Sequence, residues 1–169
     1  MEGIRKIVRV TLGIMFAIYC FMVIYVCFFS RERGTEISIF EYFTKNSNVI
    51  PFNTIKKYVR LLFDGHIRLA WTNVFGNFVL LFPLGVLLPC VAKGVNRWWK
   101  MAILGFLAVV GIELMQFFLQ VGVIDVDDII LNVIGAMLGY GLIRIPLVYE
   151  TLCKIGAIDN EEDLENEES

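Results

Sequence analysis

The chain has 169 residues, 57% of them hydrophobic, with a mean hydropathy of +0.69, which excludes an ordinary soluble domain of this size. Its formal charge of −2 hides an asymmetry: residues 159–168 carry seven acids and no base, while the remainder has 15 basic and 10 acidic residues, a net +5. The single histidine, His66, and the four cysteines, Cys20, Cys27, Cys90 and Cys153, have no metal-ligand spacing, so neither a zinc centre nor a cofactor is expected.

Arg5, Lys6 and Arg9 precede Val10–Phe29, twenty residues without a charge, which is the length of a bilayer-spanning helix. No small-residue cleavage site follows, and this reads as an uncleaved signal-anchor. Ser30–Trp71 is a long polar connection. Within it Ile55, Val59 and Leu62 fall at i, i+4 and i+7, with Lys56, Lys57 and Arg60 turned away. That pattern predicts a short amphipathic helix, begun at Pro51 and capped by Asn53 or Thr54, lying on the membrane surface or packed on the bundle. Further spans are predicted at about 72–92, 101–121 and 128–149, the first at about 8–29. Pro83 predicts a kink in the second span because it removes a backbone donor and frees the Val79 carbonyl. The connection Lys93–Lys100 is short, basic and aromatic; Gly122–Asp127 is a tight hairpin turn.

The expected fold class is therefore all-α: a four-transmembrane-helix bundle occupying residues 1–149, followed by an acidic, disordered tail at 150–169. An even number of spans puts both termini on one side. Arg5, Lys6, Arg9, Lys93, Arg97, Lys100, Arg144 and Lys154 crowd the membrane ends on that side, which makes it the cytoplasmic one.

Polar residues inside the spans are the candidate site. Glu113 sits in an otherwise uncharged run, and Gln116 and Gln120 follow on its helical face. Asn73 and Asn77 open the second span, and Asp128 and Asn132 open the fourth, each pair at i, i+4. Up-down topology brings all of them to one membrane side. At about 1.5 Å per residue, Asn77, Gln116 and Asn132 lie roughly 6–8 Å inside the boundary and Glu113 about 12 Å. Each has a plainer role open to it. Asp125, Asp127 or Asp128 would cap the fourth helix. Asn77 and Asn132 would bond neighbouring helices. Gly135-x-x-x-Gly139 lets another helix approach closely and offers a face for a homo-oligomer.

The motifs Gly76-Asn77-Phe78-Val79-Leu80-Leu81-Phe82-Pro83-Leu84-Gly85, Glu113-x-x-Gln116 and Asp125-Val126-Asp127-Asp128-Ile129-Ile130-Leu131-Asn132-x-x-Gly135-x-x-x-Gly139-Tyr140, with Asn48-Val49-Ile50-Pro51-Phe52 in the loop, resemble the VanZ-like membrane protein family over about 48–141. Many members carry an arginine before the Asp run; 122–127 has no basic residue here. The resemblance implies a bacterial plasma (inner) membrane protein of the cell envelope, of the family named for teicoplanin resistance.

Three functions are open. The first is an accessory protein lowering susceptibility to teicoplanin-type lipoglycopeptides through an outward-facing polar site. The second is an intramembrane enzyme on a lipid or polyprenyl-linked substrate. There Glu113 and Asp128 would be acid/base or Mg²⁺/Ca²⁺-liganding groups, but no activated Ser or Cys nucleophile is visible. The third is a proton-coupled carrier using Glu113 as relay. Expected partners are membrane lipids and the lipoglycopeptide or a lipid-linked envelope precursor; nothing points to nucleic acid.

Overall fold

Long apolar runs without strand-like alternation fold as helices throughout. The computed structural model describes residues 2–30, 38–92 and 94–158. Helix α1 (Glu2–Ile24) continues as a π-helical turn, Tyr25–Phe29, that buries Cys27. Helices α2 (Ile39–Asn46) and α3 (Asn53–Phe63) lie in the first connection. They are followed by α4 (Ile67–Leu80), α5 (Phe82–Val91), α6 (Trp98–Phe118), α7 (Val126–Ile143) and α8 (Pro146–Lys154).

Among the described residues, four stretches are long and apolar enough to cross a membrane: Glu2–Phe29, Ile67–Val91, Trp98–Phe118 and Val126–Ile143. The first runs 28 residues, roughly 42 Å at 1.5 Å per residue, longer than the apolar core of a bilayer.

The second span breaks where Pro83 predicts it. Leu81 leaves helical geometry (φ −100°, ψ 1°), and Pro83 sits in the first turn of α5, where its missing N–H costs nothing. The carbonyl of Leu80, at the break, accepts from the Tyr19 hydroxyl at 2.9 Å, which ties α1 to the kink.

The fourth span is shorter than hydropathy implies. Ile145 precedes Pro146 and is pushed out of the helical region (φ −58°, ψ 127°), so α7 stops at Ile143 and α8 begins afresh. Residues 150–158 are accordingly not part of a loose tail. They complete α8 and a turn in which Ala157 is buried and the Gly156 carbonyl accepts from Arg9 Nε at 3.0 Å. The acidic run from 159 onward lies outside the described residues, as do Arg31 and Arg33.

Helix α7 is central, with α4 and α5 along one side and α6 along another. Its small residues make this possible. A Cβ at Gly135 would fall on the Phe78 carbonyl oxygen, one at Gly139 on that of Phe82, and one at Gly85 on that of Ala136. The Gly135/Gly139 face offered above to a second copy is thus filled by α4 and α5 of the same chain. Leu81, Met101, Val109, Ala136, Tyr140 and Ile143 form the apolar centre around this seam.

Candidate functional site

The α6–α7 turn gathers the polar groups. Helix α6 ends with Gln120 in left-handed geometry (φ 53°), its N–H bonded to Phe117 O and that of Val121 to Gln116 O, both at 3.0 Å. Asp125 then caps α7, accepting from the Asp127 N–H at 2.9 Å. The first connection docks here. Asn48 forms an isolated parallel bridge with Asp125, through Asn48 N to Ile124 O (2.8 Å) and Val126 N to Asn48 O (3.0 Å). From α2, Tyr42 is buried on Phe117 and donates its hydroxyl to Gly122 O at 3.1 Å.

Two aspartates hold the start of α3. Asp127, fully buried, accepts from the backbone N–H groups of Phe52, through a short bond, and of Ile55, at 3.0 Å. It therefore caps a helix other than its own, with its negative charge at the positive end of the α3 dipole. Asp125 accepts from Thr54 Oγ1 (2.6 Å) and Asn48 Nδ2 (3.0 Å), and Asn48 Nδ2 also reaches Thr54 Oγ1 (2.9 Å). Phe52 carries the strain of the junction, with φ 65° in a region that side chains avoid. Neither Asn53 nor Thr54 is the N-cap of α3: that position is Phe52, and the capping oxygens come from α7.

The remaining candidates divide into buried and peripheral. Glu113 is 6% exposed, and its Oε2 accepts the Asp125 N–H at a long 3.4 Å. Gln116 is buried and donates Nε2 to the Cys27 carbonyl at 2.9 Å, so the π turn of α1 is pinned to α6. Asn132 is buried and donates to Asp128 O of its own helix at 2.8 Å; its Oδ1 has no partner among the described residues. Asp128 is half-buried beside Tyr58 of α3. Burial chiefly, and then the charges of Asp128 and Asp125, raise the Tyr58 pKa above its ordinary value. Asn77 is half-buried on α4 and is not bonded to the cluster; Asn73 donates to Leu69 O at 3.0 Å within its helix, and Gln120 is half-buried in the turn.

The cluster is therefore Glu113, Asp125 and Asp127 with Asn48, Thr54 and the α3 amides. Asp125 and Asp127, secondary on sequence grounds, are its centre. Asn48 and Thr54 are the partners that span-by-span reading overlooks. Their signal was polarity flanking Pro51 beside an amphipathic helix, but the backbone donors that complete the cluster leave no mark in sequence. Among the described residues no group of three His, Cys, Asp or Glu is arranged to hold a metal ion.

The helix α3 itself is split. Ile55, Tyr58 and Leu61 are half-buried against the bundle, while Val59 (42% exposed), Leu62 (39%) and Phe63 (87%) remain uncovered. Lys56, Lys57 and Arg60 are exposed. The helix thus both packs on the bundle and presents a mixed apolar and cationic surface.

The VanZ/LLP1 family model matches residues 16–148. The chain belongs to that family. The VanZ/LLP1 region takes in every member of the polar cluster and leaves out the end of α8 and the acidic run. A curated relative, "Protein VanZ" of Enterococcus faecium, is 27% identical over 131 residues, covering 76% of this chain and 72% of the relative. No solved structure matches. In this VanZ/LLP1 chain the turn 122–127 has no basic residue, and its carboxylates are satisfied by amide, hydroxyl and backbone donors.

Proposed function

We propose that this chain is a bacterial plasma-membrane protein of the cell envelope that lowers susceptibility to teicoplanin-type lipoglycopeptides, acting through α3 at the outer membrane surface. The observation that carries the reading is the double clasp of Asp125 and Asp127 on the start of α3. Two buried carboxylates are committed to fixing one surface helix. Such a clasp stabilises a defined presentation of Val59, Leu62 and Phe63 beside Lys56, Lys57 and Arg60.

A lipoglycopeptide carries an acyl chain and acts where the membrane meets the cell wall. A fixed amphipathic helix at that depth would meet its acyl chain or the lipid-linked precursor it targets. Both termini are cytoplasmic on this reading, which puts α2, α3 and the α6–α7 turn outside. Support for a structural, presenting role of Asp125 and Asp127 comes from their oxygens, which accept from protein donors in the resting fold. Teicoplanin susceptibility of a host with and without the gene, at verified membrane expression, tests this. A clear protection is expected; equal susceptibility would contradict it.

A further inference from the structure

At the opposite end of the bundle, the α5–α6 connection and the end of α7 border an open cavity of about 420 Å³, lined by Asn96, Arg97, Trp98, Trp99, Tyr140 and Arg144. Two arginines, Arg97 and Arg144, are among its lining residues. Arg144 is held in place. Its Nε and Nη2 donate to the Tyr140 hydroxyl at 2.9 and 2.7 Å, and its guanidinium lies 5.2 Å from the ring centres of both Tyr140 and Tyr149. A guanidinium fixed this way loses little further freedom on meeting an anion.

The wall is also rigid. Lys100 Nζ donates to Gly94 O at 2.9 Å and to Asn96 Oδ1 at 3.3 Å, which closes the connection and adds a third positive charge behind Asn96. Trp98 and Trp99 stand at the rim, 68% and 44% exposed. Indole rings favour the depth of lipid headgroups, and basic pockets at that depth hold lipid phosphates.

We infer that this cavity binds the phosphate headgroup of an anionic membrane lipid, with Arg97 and Arg144 meeting the phosphate and Trp98 and Trp99 flanking the start of the acyl chains. The inference does not rest on the role assigned to α3, which lies at the other end of the bundle. Native mass spectrometry of the full chain in detergent, offered phosphatidylglycerol, phosphatidylcholine or inorganic phosphate, tests it.

Phosphatidylglycerol is expected to be retained over phosphatidylcholine. Retention should fall about fivefold in Arg97→Gln and about fivefold more when Arg144→Gln is added. Because Arg144 also braces Tyr140, Arg97→Gln alone decides the matter if the double variant fails to fold. Arg68→Gln, exposed and outside the cavity, should retain the lipid as the wild type does. Equal retention of the two lipids, or unchanged retention in Arg97→Gln, would overturn the inference. So would displacement of phosphatidylglycerol by inorganic phosphate, which would assign the cavity to a soluble anion.

Discussion

Replacing Asp127 by alanine removes both acceptors that hold the first turn of α3, the bonds from Phe52 N and Ile55 N. Each part-buried donor left without a partner costs about 1–3 kcal/mol, and losing an N-cap typically costs about 1. Thr54 still reaches Asp125, so α3 is not wholly released, and the net local cost is roughly 2–4 kcal/mol. Local opening at that cost is roughly thirtyfold to a thousandfold more frequent. Hydrogen exchange of the α3 amides, measured in detergent micelles or lipid discs, reads this directly. Amides of residues 53–63 should exchange faster by that factor, while those of α6 keep their protection. Lys57→Ala, exposed on the same helix, should leave exchange close to wild type. If Asp127→Ala leaves the α3 amides unchanged, the clasp is not what holds the helix and the reasoning fails.

Three other outcomes follow from the same contacts. Gly135→Ala places a methyl group on the Phe78 carbonyl and should destabilise by about 1–3 kcal/mol, seen as a lower unfolding temperature, whereas Gly76→Ala, with open space around it, should not. Tyr19→Phe removes the donor to the Leu80 carbonyl at the break in the second span and should cost about 1 kcal/mol by the same assay. Tyr58 should ionise above its ordinary value of 10, and Asp128→Asn should bring it part of the way back, in the ultraviolet difference between each protein and its Tyr58→Phe partner. A raised folded-state pKa means the folded state holds the proton more tightly. The contribution of Tyr58 to stability is therefore complete below pH 10 and is lost as pH rises through the folded value.

The bundle was legible because its signals are local. Charge-free runs mark the spans, and Pro83 alone predicts the break at Leu81. The end of the fourth span was equally local, since Pro146 forces Ile145 out of the helix, but apolar composition runs past it to Tyr149 and masks the stop. Depth reasoning placed Glu113, Gln116 and the Asp run at one end of the molecule, and Glu113 reaches the Asp125 N–H at the start of α7. It did not reveal which of them meet. Asn132 bonds back to Asp128 O of its own helix and Asn77 has no bond to the cluster, because depth constrains position along a helix and leaves rotation about it open. The decisive partners, Phe52 N and Ile55 N, are backbone groups of a distant loop, and no residue type announces them. Gly135 and Gly139 were read as a close-approach face correctly; that the approaching helix is α4–α5 of the same chain depends on the whole topology.

If α3, fixed by α7, acts at the outer membrane surface, teicoplanin susceptibility will show it in a deletion host carrying the wild type, Asp127→Ala, or Lys56→Gln/Lys57→Gln/Arg60→Gln, at matched membrane levels. Protection by the wild type and loss of protection in both variants are expected. Full protection by both variants would rule out a role for α3.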